Sequence, residues 1–276
     1  MKNLFLLLCC ILVVGCAFDK KESQPPVGMA PANAANAEVL KQQFLPIIEG
    51  VWVTSDYIEE IKRTKSPYMA HPKLRGIADM HIVFDATTDS LVIGIDRYNH
   101  EGNSLILHLQ KGRTPNSLLA TYLDYDNKDD SFEIGYSLTP KDTLLFVYHY
   151  NKSGELLHSR QYTRISKTAE NYETGWGIQL VANKELIAGT YVIEGTAPPI
   201  TVTFTEDGRV TGFDDFESYL VGTDFAVNDP DEIPGHDYIY FIKKGNDINN
   251  ISSDFKVSGN TLVLSHQATH YKLVKQ

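Results

Sequence analysis

The chain has 276 residues, enough for one large or two modest hydrophobic cores. With 35 acidic against 25 basic residues, its formal net charge is −10, which repels phosphate backbones and anionic lipid faces and argues against nucleic acid as a partner. All three cysteines (Cys9, Cys10 and Cys16) fall in the first sixteen residues, so the rest of the chain offers no disulfide, cysteine nucleophile or cysteine-ligated metal.

Residues 1–16 read as a secretory signal. Lys2 supplies the positive start, and the apolar run Leu4 to Val14 is too short to span a bilayer. The ending Val13-Val14-Gly15-Cys16 resembles the lipobox of bacterial lipoproteins. That resemblance implies that Cys16 is lipidated with fatty acyl chains such as palmitate and becomes the mature N-terminus. It implies a lipid-anchored protein of the cell envelope, at the outer membrane on its periplasmic or surface face. Membrane contact would come through the acyl chains, each buried CH₂ contributing roughly 0.8 kcal/mol.

Residues 17–46 are rich in Ala, Asn, Pro and charge, a composition that reads as a flexible tether, with a short helix at Glu38 to Leu45 stopped by Pro46. From Ile47 onward, short runs of Val, Ile, Thr, Tyr and Phe alternate with Gly, Asn, Asp and Pro clusters, the pattern of antiparallel strands and hairpins. One helix interrupts them. Over residues 55–65, Tyr57, Ile58 and Ile61 recur at helical spacing, with Ser55 or Asp56 as cap and Ser66-Pro67 as stop. The strand set at 47–166 forms a first domain, the polar stretch 167–188 a linker, and 189–276 a smaller second domain.

The two halves correspond in order. Gly50-Val51-Trp52 answers to Gly189-Thr190-Tyr191, Asp142-Thr143-Leu144 to Asn260-Thr261-Leu262, and Tyr162-Thr163-Arg164 to Tyr271-Lys272-Leu273. Conserved order with drifting spacing points to a duplication, with the helix as an insertion after the first opening strand. The expected fold is therefore all-β: two tandem antiparallel barrels or half-barrels, the second with too few strands to close.

The glycine-x-aromatic opening, the run of antiparallel strands and the G/D-x-T-L-x-L hairpin resemble the lipocalin-like, calycin-type proteins. More narrowly, the Trp-x-x-x-x-Tyr-Ile-x-x-Ile-x-x-Thr-Lys-Ser-Pro run is similar to that of lipocalin-like lipoproteins of Bacteroidota, whose activity is mostly unassigned. The resemblance implies structural roles for Gly50, Trp52 and Arg164, the last stacking on Trp52, with Lys272 near Tyr191 in the second half.

No catalytic motif stands out. There is no H-E-x-x-H or G-x-S-x-G, and the acidic run from Asp124 fails the calcium-loop spacing, so neither a catalytic residue, a metal ligand nor a cofactor is assigned. The aromatics Trp52, Tyr57, Phe84, Tyr122, Tyr136 and Tyr148 either line a cavity for a lipid or other small apolar or amphipathic ligand, or simply fill the barrel. The leading expectation is non-catalytic binding or carriage of such a ligand. The alternatives are an interaction module contacting an envelope protein and a cryptic hydrolase.

Overall fold

Strand β1 (Gly50–Thr54) is buried along its whole length, which sets it apart from strands with one face in water. The computed structural model describes residues 31–83, 90–98, 101–123, 127–168, 175–225 and 235–276. It shows why β1 is so apolar: one face looks into a barrel and the other is covered by a helix.

That barrel is an eight-stranded antiparallel meander. After β1 come β2 (Ile77–Ile82), β3 (Ser90–Arg97), β4 (Glu101–Lys111), β5 (Ser117–Tyr122), β6 (Ser131–Leu138), β7 (Thr143–Tyr150) and β8 (Leu156–Ser166). Each pairs with the next, and β8 returns to β1 to close the ring. Closure removes both sheet edges. Alternation along the strands sends Trp52, Met80, Ile95, Leu107, Ile134, Leu145 and Tyr162 into one apolar interior.

Helix α1 (Pro31–Ile48) packs against this interior through Leu40, Phe44, Leu45 and Ile48, spaced for one helical face. The expected tether over 17–46 is thus corrected over its described part. The helix starts well before Glu38, and Pro46 lies inside it rather than stopping it. Burial of four large apolar side chains outweighs the single hydrogen bond that proline forfeits. The Trp52 indole Nε1 donates to Ile48 O at 2.7 Å, fixing the helix to the first strand.

Helix α2 (Ser55–Thr64) follows β1 as the insertion the sequence implied, and Lys65 closes it in the left-handed conformation at φ 55°. Neither Ser55 nor Asp56 caps it. Thr54 holds the cap position, and the Ser55 hydroxyl instead meets Thr163 Oγ1 at 2.8 Å. A one-turn helix α3 (Pro67–Ala70) and a 3₁₀ turn (His71–Leu74) lead back to β2. The Arg160 guanidinium, donating to the carbonyls of Lys73, Arg75 and Ile77, pins that return.

Helix α4 (Trp176–Ala182) and a π turn (Asn183–Ile187) join the two halves. The second sheet comprises β9 (Gly189–Ile193), β10 (Thr201–Phe204), β11 (Val210–Thr211), β12 (Phe216–Val221), β13 (Tyr238–Lys243), β14 (Asn246–Ser258), β15 (Thr261–His266) and β16 (Thr269–Lys275). It too has eight strands, so the expected shortage does not arise. β16 pairs with β9, while β11 and β12 touch through one bridge, Arg209 to Ser218, leaving the ring nearly closed. Phe204, Phe213, Tyr219 and Phe241 fill its interior, in one apolar cluster continuous with α4 and the outer face of β1.

The opening of each half repeats in detail. Gly50 and Gly189 have φ of 127° and 149°, and a basic side chain crosses each bare Cα: Arg164 in the first, Lys275 in the second. Trp52 bonds Ile48 O, and the Tyr191 hydroxyl bonds Ile187 O at 2.8 Å. The cation near Tyr191 is Lys275, at 5.7 Å from the ring, whereas Lys272, the expected one, pairs with Glu194.

Candidate functional site

Helix α4 presents two faces with different tasks. Ile178, Val181 and Ala182 are buried on one side, while Trp176, Gln179 and Leu180 face the groove, joined there by the buried Asn183 of the following π turn. The outward face forms one wall of a half-open groove of about 610 Å³, whose opposite wall comes from the 206–208 turn, β12 and β13. This size suits a small organic ligand.

The groove has an aromatic and a polar part. Trp176, Leu180, Leu220, Tyr238 and Tyr240 supply apolar surface, and the two tyrosine rings meet edge to face at 5.3 Å. Gln179, Asn183, Glu206, Asp207 and Asp224 supply hydrogen-bonding groups, with an excess of carboxylates. Asn183 is held by a bond to Glu206 O at 3.0 Å, and the Gln179 amide lies 2.9 Å from both the N and O of Val221, so backbone contacts preorganise both amides. Burial raises the Tyr238 hydroxyl above the usual phenol range, with the Tyr240 and Asp224 charges adding to the effect.

On the other side of Trp176 lies a polar cluster that the sequence reading missed. Asp79 and His81 share one face of β2, and Asp96 of β3 is the cross-strand partner of Asp79. All three are buried, at 0%, 2% and 0% exposure, beneath the start of α4. Asp79 Oδ2 accepts from Gly177 N at 3.1 Å and Asp96 Oδ2 from Gly175 N at 2.8 Å, while the Oδ1 atom of each carboxylate has no hydrogen-bond partner. His81 Nε2 is 3.6 Å from Asp79 Oδ2, and its ring lies 6.0 Å from that of Trp176. Burial pushes both carboxyls above the usual carboxylate range, the neighbouring Asp79 adding to the effect at Asp96, and pushes the imidazole below its usual value. The signal in the sequence was Asp79-Met80-His81, two ionisable groups on one face of a strand with apolar neighbours throughout. Only the register of β3 adds the third.

The expected cavity aromatics are not gathered at one site. Trp52, Tyr122 and Tyr136 lie in the first barrel's interior, Tyr136 edge to face with Phe44 of α1 at 5.2 Å. Tyr57 belongs to the apolar cluster outside that barrel, and Tyr148 is on the face of β7 opposite Leu145 and Val147. Phe84 and Cys16 lie outside the described residues. The first interior holds its own apolar side chains and those of α1, and a ligand-sized volume lies in the groove beside α4. The Asp79–Asp96 pair is buried under the start of α4 and does not itself line the groove, unlike a glycosidase pair flanking its substrate.

The chain matches no protein-family model, and a search of the curated proteins gives no match. Among the described residues, no helix is long and apolar enough to cross a membrane.

Proposed function

We propose that this protein is a non-catalytic binding protein of the cell envelope, anchored through acyl chains on Cys16, that holds a small amphipathic ligand in the groove beside α4. The observation that carries the reading is the groove itself: about 610 Å³, aromatic on two walls and edged by carboxylates and amides. A ligand with a flat apolar part would lie against Trp176, Tyr238 and Tyr240, and its amine or hydroxyl donors would meet Asp207 and Asp224. The lipobox-like ending at Cys16 supports the anchored location.

Native mass spectrometry of protein purified from its own host tests this. The expected result is a co-purified small molecule that is lost from Trp176→Ala and Tyr240→Ala proteins. Wild-type protein arriving with nothing bound, or variants retaining the molecule at full occupancy, would sink the reading.

A further inference from the structure

We propose that Asp79, His81 and Asp96 form a binding site for one divalent first-row transition-metal ion, of the zinc or manganese kind, clamped between β2, β3 and the start of α4. One ligand atom from each residue lies within 4.8 Å of the others. The donor set is two carboxylate oxygens and an imidazole nitrogen, which suits such ions and is poorly matched to the all-oxygen preference of calcium.

Two further observations point to a cation. First, each carboxylate has one oxygen tied to a backbone amide (Gly177 N and Gly175 N), while its buried Oδ1 has no donor except a proton shared between the two acids themselves, which a cation would displace. A buried carboxylate oxygen without a partner is costly, and outer-shell bonds of this kind orient metal-ligating groups. Second, among the described residues no lysine or arginine pairs with either carboxylate, so two adjacent acids lack a protein countercharge. A divalent ion would neutralise both.

The ion's role follows from its place. It would tie the first barrel to the helix that walls the groove, so loading would stiffen Trp176 and the groove behind it. No reaction is assigned to it.

The test uses the full chain without a histidine tag, stripped with chelator and then titrated with Zn²⁺ alone by calorimetry. One ion per chain is expected, with affinity falling at least about 10-fold in Asp79→Asn, His81→Gln and Asp96→Asn. Mn²⁺, being paramagnetic, should quench Trp176 emission in a Trp52→Phe background. No saturable binding, or binding that survives all three substitutions, overturns the site. If circular dichroism shows that the variants do not fold, anomalous scattering from wild-type crystals soaked in Zn²⁺ decides: a peak among the three side chains supports the site, and no peak there refutes it. Because the variants leave Tyr238 and Tyr240 untouched, failure of the metal site is separable from failure of the groove.

Discussion

The Arg164 guanidinium sits 5.0 Å over the Trp52 ring, and the two residues are direct cross-strand partners between β8 and β1. The contact closes the first barrel at its opening strand. Arg164 Nη1 also donates to Ile47 O at 3.1 Å, so one side chain joins the last strand, the first strand and the end of α1. Lys275 over Tyr191 does the same in the second half, again as a cross-strand pair and again with a bond to the preceding segment, at Ala188 O. The repetition of this device is the clearest structural sign that the halves share one plan.

Trp52→Ala should therefore be severe. It deletes a fully buried ring, the bond to Ile48 O and the cation's seat, at an expected cost of about 3–5 kcal/mol in urea unfolding. Arg164→Met keeps the packing and should cost less, about 0.5–2 kcal/mol. A Trp52→Ala protein as stable as wild type would contradict the role given to this pair.

Phe44→Ala tests whether α1 is part of the fold. Phe44 is 2% exposed and meets Tyr136 edge to face, so its removal should cost about 3–5 kcal/mol. A loose tether would show almost no change in the same unfolding curve.

Gly177 is where α4 comes closest to the first barrel. A methyl group there would stand 2.6 Å from Asp79 Oδ2 and 3.0 Å from Val51 Cγ1. Neither neighbour can retreat easily, because the carboxylate is held by the Gly177 amide and the valine is buried. Gly177→Ala should lower stability by about 1–3 kcal/mol despite alanine's better helix propensity. Differential scanning calorimetry measures this, and a rise in melting temperature would refute the close contact.

Groove variants should separate binding from folding. Tyr240 is half-buried on the outer face of β13, so Tyr240→Ala should weaken ligand retention by about 10-fold while shifting the melting temperature little. Equilibrium dialysis of the recovered ligand gives the first quantity and a thermal melt the second. Equal losses in both would mean that the residue serves the fold alone.

The local pattern of the chain determined much of this. Period-2 alternation and Gly-, Asn- and Asp-rich turns marked most strands, and the Tyr57, Ile58 and Ile61 spacing marked α2 to within a residue of its end. The glycine-x-aromatic openings at 50–52 and 189–191 marked where each barrel begins. These features are legible because each depends on neighbours close in sequence. What tertiary structure decided was what covers what. Residues 31–48 look tether-like until the first barrel offers α1 a surface for Leu40, Phe44 and Ile48. Residues 167–188 look like a polar linker, yet α4 buries Ile178 and Val181 and turns Trp176 toward a groove whose far wall lies some fifty residues along. Asp96 joins Asp79 and His81 only through strand register, which no local pattern encodes, because burial and cross-strand pairing are properties of the assembled sheet.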